Sequence, residues 1–388
     1  MAAAAPHAPS LGLPSVKLSS GHSMPLFGLG TWQSGKDEVR KAVVAALEAG
    51  YTAIDGAAGY ANEAEVGDAL ADCIARGVCK REEVFLTSKL WAADFWPDKA
   101  AAALEKTLSE LKTSYVDLYL VHWRELQAHA RANRSAPSAD TSSCCLRPRL
   151  RLARARASSG ASDPAPPPPR RRLSAYPIDT AKGATFNDPR KEMRTGYDPA
   201  HYLAVWRVLE AAVDAGKIRS IGTSNMSALK LSQLLAHARI PPAVNQVESH
   251  PFCAQTKLMA WCAKRNIVIT AFSPLGSPAR PARLVAEGDP APLFHPVIVA
   301  IAERTKKTAA QVLIKWQIQR GVVVIPKSVT PARIVENAQV ADFELSADDM
   351  SAIAALDANH RLNKGGSWTL EGQSTDALWD DDWAGLAE

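Results

Sequence analysis

Short apolar, β-rich runs and amphipathic helical stretches alternate along this 388-residue chain, and that alternation constrains its fold more than any other feature. Strand-like runs span residues 26–30, 52–55, 84–88, 116–122, 218–223, 243–247, 267–272 and 322–326. Helical patterns follow over 37–49, 63–75, 98–111, 199–215, 228–238, 255–264 and 297–320, and a further helix opens after the eighth strand. Eight βα units joined by right-handed crossovers have few arrangements other than a closed parallel barrel. An open dinucleotide-binding sheet would need a third glycine at the end of Gly28-Leu29-Gly30-Thr31-Trp32-Gln33, where Gln33 stands. A hairpin signal precedes the first unit, with Ser20-Gly21-His22 between two short β-type runs. The expected fold is therefore an α/β (β/α)8 TIM barrel with an N-terminal β-hairpin. It forms one domain over residues 15–365, between a flexible tail at 1–14 and a C-terminal tail at 366–388.

One segment breaks the order. Residues 124–173 hold eleven Arg, no Lys and three acids, a balance of +8, so the rest of the chain sums to −3 against a total of +5. With a proline run at 164–169 and almost no aromatic residues, this stretch cannot bury enough apolar surface to offset its ordering entropy. Residues 124–175 are expected to be a disordered insert after strand four, as is part of 177–198. The insert reads as a lid, as a basic arm, or as a retained intron. The last is favoured, because Arg124-Glu125-Leu126 is encodable with a donor-like GTGAG and Arg without Lys suits translated GC-rich DNA. No interleaved aromatics support nucleic-acid binding. No apolar run approaches the ~20 residues of a membrane span, and six cysteines without CxxC or zinc spacing suit a reducing cytoplasm.

Asp55, Tyr60, Lys89 and His122 stand at or just beyond the ends of successive expected strands, where an α/β barrel builds an active site. A lysine at about 4 Å and an effective dielectric of ~20 is worth roughly 4 kcal/mol, or about three pKa units. That would bring the Tyr60 phenol near neutrality, the range of a general acid, with Asp55 holding Lys89 and His122 orienting a substrate oxygen. Each residue alone also suits a buried ion pair or a core aromatic. A proton donor of this kind needs a separate hydride source. Lys327, Ser328, Thr330 and Arg333, after strand eight and at a helix start, are residue types that bind a phosphate monoester such as the 2′-phosphate of NADPH. Taken alone, the cluster also fits a helix start with two exposed cations. Gly222-Thr223-Ser224-Asn225 and Asn245-Gln246 offer groups to a carboxamide, Phe272 a stacking face, and Trp32, Trp91 and Trp123 an aromatic substrate wall, while each taken alone also suits a cap, a buried amide or core packing.

With these segments together, the chain resembles the aldo-keto reductase family, in its aldose and aldehyde reductase branch. The resemblance covers about residues 15–123 and 200–365 and rests on 54–62, 87–91, 119–123, 222–225, 271–277 and 325–333. It implies Tyr60 as proton donor, tuned by Lys89 and Asp55, with His122 positioning the carbonyl. It further implies Ser224, Asn225 and Gln246 on the nicotinamide carboxamide and Phe272 stacked on the ring. Ser273, Leu275 and Ser277 would cover the pyrophosphate. Lys327, Ser328, Val329, Thr330 and Arg333 would hold the 2′-phosphate, Glu336 and Asn337 would meet adenine, and Thr31, Trp32 and Asp55 would complete the cofactor set. Trp32, Trp91, His122 and Trp123 would line the substrate side. The implied reaction is NADPH-dependent reduction of an aldehyde or aldose by a cytoplasmic monomer that binds no metal, membrane or nucleic acid. The alternative is an NADPH-binding regulatory subunit on the same barrel. Two departures from the family pattern are Phe272, where members often carry Tyr, and Arg124, where a proline usually follows His-Trp.

Overall fold

The computed structural model describes residues 7–123, 126–127, 194–195, 197–365 and 379. Strands β1 (Ser15–Lys17) and β2 (Ser23–Pro25) form the antiparallel hairpin. The barrel begins with β3 (Leu29–Gly30), α1 (Lys36–Glu48), β4 (Ala53–Asp55), α2 (Glu63–Ala75), β5 (Phe85–Leu90), α3 (Pro97–Glu110) and β6 (Val116–Val121). A short antiparallel pair follows, β7 (Leu126–Gln127) with β8 (Arg194–Thr195). The barrel resumes with α4 (Pro199–Asp214), β9 (Ile218–Ser224), α5 (Ala228–Leu235), β10 (Val244–Glu248), α6 (Thr256–Ala263) and β11 (Val268–Phe272). It ends with α7 (Pro296–Thr305), α8 (Ala309–Gln319), β12 (Val323–Val324), α9 (Pro331–Ala338) and α10 (Ala347–Ala354).

Eight parallel strands pair in the order β3-β4-β5-β6-β9-β10-β11-β12. The seam from β12 back to β3 is closed by parallel bridges at Phe27–Val324 and Gly30–Lys327. There Val324 N donates to Leu26 O at 2.8 Å, Gly28 N to Val324 O at 3.0 Å and Gly30 N to Pro326 O at 3.1 Å. Strands β5 and β6 are buried along their whole length, as a strand covered on both faces must be. The hairpin seats against the barrel through buried Leu18 and Met24 and a 2.7 Å hydrogen bond between the Ser20 and Ser220 hydroxyls.

Close packing at the seam explains Gly30. A Cβ there would stand 2.7 Å from the Ile325 carbonyl oxygen, which is backbone and cannot swing aside. Gly30→Ala is expected to cost about 1–3 kcal/mol, the usual range for overpacking, read as a lower urea midpoint with unchanged slope. An unchanged midpoint would show that the seam is looser than its hydrogen bonds imply.

The structure differs from the sequence expectations in four places. The continuous helical pattern over 297–320 breaks in two, because Lys306 adopts a left-handed φ of 56° and Thr308 with Gln311 forms a capping box that starts α8. Ser346 and Asp349 similarly start α10, which the pattern did not reveal. Part of the expected 1–14 tail is docked: Ala8 N donates to Val78 O at 3.0 Å, and Ala8, Leu11 and Leu13 pack on the core. Leu126–Gln127, expected within the disordered insert, instead pairs with Arg194–Thr195. The start of α4 just downstream is capped by Asp198, whose side chain accepts from Ala200 N and His201 N. The rest of the expected 124–175 insert lies outside the described residues, as does most of 366–388. No described helix is long and apolar enough to cross a membrane.

Candidate active site

Asp55 ends β4, Lys89 is the penultimate residue of β5 and His122 follows β6, so three neighbouring parallel strands deliver them to one rim. Tyr60 closes the 3-10 turn Ala58–Tyr60 that leaves β4. The ammonium of Lys89 is fully buried and donates to Asp55 Oδ1 at 2.5 Å, Gly56 O at 2.8 Å and Tyr60 Oη at 3.1 Å. A lysine has three donors, and all three are used. Gln246 Nε2 donates to the other Asp55 oxygen at 2.7 Å. The His122 ring meets Tyr60 and Trp91 edge-on, with centroids 5.4 and 5.3 Å away.

These residues open on a cavity of about 740 Å3 along the C-terminal rim of the barrel. Every site residue expected from sequence lines it except Lys89, which lies beneath the surface that Tyr60 and Asp55 present. At the tetrad end, Asn225 adopts a left-handed φ of 58° and donates through Nδ2 to His122 O and Ser224 Oγ, at 3.1 and 3.0 Å. Ser224 Oγ in turn donates to Gln246 O at 2.9 Å. Phe272 ends β11, half-buried, and the Ser277 hydroxyl donates to that of Ser273 at 2.6 Å. At the far end, Lys327, Ser328 and Val329 lead into α9, whose N-cap residue Thr330 makes no side-chain cap bond, and Arg333 lies exposed in its first turn. That leaves cationic side chains beside a helix N-terminus, an arrangement suited to an anion.

A sequence profile of the Aldo/keto reductase family matches residues 26–358. The chain belongs to the aldo/keto reductase family. It is 39% identical over 366 residues to an aldo/keto reductase of Synechocystis sp., covering 94% of this chain and 95% of that one. Aldo-keto reductase family 1 member A1-A of Danio rerio is 40% identical over 349 residues, covering 90% of this chain and 91% of the other. Among solved structures, the Bombyx mori aldo-keto reductase in complex with NADP superposes with a TM-score of 0.70 at 30% identity, covering 92% of this chain and 96% of that one.

The electrostatics of this aldo/keto reductase correct one expectation. Tyr60 is not drawn toward neutrality: burial pushes its phenol above the usual range and outweighs the pull of Lys89, which Asp55 partly cancels. Lys89 moves up as well, since Asp55 and Tyr60 together outweigh the burial that would lower it. Burial first, and the Lys89 charge second, hold His122 well below the usual imidazole range, so its ring is neutral at physiological pH. Burial also lowers Lys327, with Glu38 opposing.

Sequence reasoning missed several lining residues of the reductase. Arg280, Leu284 and Phe294 come from the long connection between β11 and α7, and Leu362 and Asn363 from the segment after α10. Arg280 Nη2 donates to Asp289 at 2.6 Å within that connection. Burial would raise Asp289, but the Ala286 amide, His360 and Arg280 hold its carboxyl at about 2. Neither segment has hydrophobic periodicity, and the proline spacing in the first was the only available signal.

Proposed function

We propose that this aldo/keto reductase reduces aldehydes or aldoses to alcohols with NADPH, Tyr60 donating the proton. The observation that carries the reading is the hydrogen-bond direction at Tyr60. Lys89 Nζ has no lone pair to accept with, so the phenol oxygen accepts from it at 3.1 Å and the phenolic proton is left for the cavity. A phenol whose ionisation is pushed upward stays protonated and ready to donate. The neutral His122 ring offers one N–H beside it to hold the same carbonyl oxygen. As that oxygen gains charge, the Lys89 ammonium stabilises it through Tyr60.

The residues present fit NADPH. The cavity joins the tetrad to the Lys327–Arg333 segment, with the half-buried Phe272 ring and the Ser224, Asn225 and Gln246 groups at the reacting end. Ser273, Leu275 and Ser277 lie along it, and Glu336 and Asn337 beyond it in α9. Thr31 and Trp32 line it near Asp55, and Thr31 Oγ1 donates to Asp55 O at 2.8 Å. The NADP in the Bombyx mori relative supports the assignment. When bound, NADPH supplies the hydride. Trp32, Trp91 and Trp123 wall the side on which the carbonyl would enter. A cytoplasmic monomer built on one barrel domain, 15–365, belongs to the same proposal, as does the retained-intron reading of 124–173. Sequencing of the messenger across codons 120–180 tests the latter, and a tryptic peptide from Leu173 to Lys182 would sink it.

Lys327→Ala and Arg333→Ala are each expected to weaken NADPH by about ten- to a hundredfold, the cost of one charge-assisted phosphate contact, and to leave NADH unchanged. Fluorescence titration of both cofactors checks this, and equal losses for the two would move the 2′-phosphate elsewhere. Turnover of an aldehyde panel by the wild-type protein separates an enzyme from a regulatory subunit, which would bind NADPH without consuming it.

A further inference from the structure

Glu248, the last residue of β10, is a buried carboxylate that the proposed chemistry does not use. It accepts from His250 Nε2 at 2.8 Å, from Leu362 N at 2.7 Å and from Asn363 N at 2.8 Å. Two of its three donors are therefore backbone amides from a segment more than a hundred residues away. Hydrogen bonds to an ionised acceptor are about twice as strong as neutral ones, and a buried carboxylate left short of donors is costly.

The segment so held forms part of the cavity wall. Upstream, Ala358 N and His360 N both donate to Phe252 O, and His360 Nε2 lies 3.1 Å from Asp289 Oδ1. Leu362 and Asn363 line the cavity, and Leu362 packs against Gly276, where a Cβ would meet its Cδ1 at 3.7 Å and Pro292 at 2.4 Å. One short stretch thus ties a barrel strand to the connection carrying Gly276, Arg280 and Phe294.

We infer that Glu248 is a positioning residue that fixes residues 361–363 in the cavity wall, as the brace against which the connection after β11 rests. It touches no reacting atom. It sets where Leu362 and Asn363 stand, and through Leu362 and His360 how closely that connection approaches. The inference rests on the NADPH reading only for its second measurement.

The first measurement is hydrogen exchange on the full chain without cofactor. Leu362 and Asn363 amides are expected to be protected in the wild type. In Glu248→Gln, which keeps one acceptor where the carboxylate had two, they should exchange about tenfold faster or more. Asn363→Pro removes one donor without altering the buried strand end, so it tests the same brace if Glu248→Gln does not fold. The second measurement is NADPH release by stopped-flow fluorescence, expected to quicken about tenfold, with KM for NADPH rising and kcat for the carbonyl held. Faster exchange with unchanged release would keep the brace and count against the NADPH placement. Unchanged exchange at 361–363 in Glu248→Gln and at 361–362 in Asn363→Pro, or acceleration spread evenly over the barrel, would overturn the inference.

Discussion

Tyr60→Phe is expected to lower aldehyde reduction by about 10²- to 10⁴-fold, the usual contribution of a general acid, while NADPH titrates as in the wild type. The change deletes one oxygen from a ring that otherwise keeps its edge contact with His122. The cavity keeps its walls, so cofactor affinity should hold. What disappears is the one proton that Lys89, by donating to Tyr60 Oη, leaves free for a substrate. Steady-state kinetics with fluorescence titration decide the matter, and wild-type rates in the variant would end the assignment. The pH profile adds an independent check. With Tyr60 as the proposed proton donor, reduction requires the protonated phenol, so the rate is expected to fall as pH rises through the Tyr60 pKa. Burial moves that pKa upward, which places the alkaline limb above the ordinary phenol value of about 10. His122, held low, should add no limb near about 6.5. A rate that declines between about pH 7 and 8 would mean that Lys89 does bring the phenol toward neutrality after all.

Much of the site was legible because strand ends are local features. Asp55, Lys89 and His122 each terminate an apolar run, and parallel pairing of adjacent strands then puts them on one rim without any distant contact being known. Lys327 and Arg333 were legible for a similar reason, since a strand end followed by a proline-started helix is written in consecutive residues. The sign of the Tyr60 shift was not legible, because it depends on how deeply the whole rim is buried and on Asp55 cancelling part of the Lys89 charge. Glu248 also ends a strand, yet its donors at Leu362 and Asn363 come from far along the chain in a stretch without periodicity. The division between α7 and α8 lay within reach: Thr308 and Gln311 are a capping pair, hidden by helical spacing on both sides.

Lys89→Met should be the most damaging single change in the barrel, for two separable reasons. The ammonium is fully buried, and its removal leaves Asp55 Oδ1 facing a thioether, with only the Gln246 contact to the other oxygen retained. Breaking a buried pair by deleting one partner costs about 3–5 kcal/mol, because the surviving charge has neither water nor counter-ion. The second loss is catalytic. Without the cation, Tyr60 Oη loses the donor that orients it and the charge that stabilises the oxygen through which the proton leaves, worth about 10²- to 10³-fold. Asp55→Asn in the same background separates the two. It removes the stranded charge, and an asparagine oxygen can still accept from Gln246, so much of the lost stability should return in urea titrations. Turnover should not return, since nothing restores the cation beside the phenol. If Lys89→Met proved fully stable, the charge on Asp55 would have to be relieved by something other than Lys89. If the double variant regained activity, the ammonium would be a structural counter-ion, and Tyr60 would act without it.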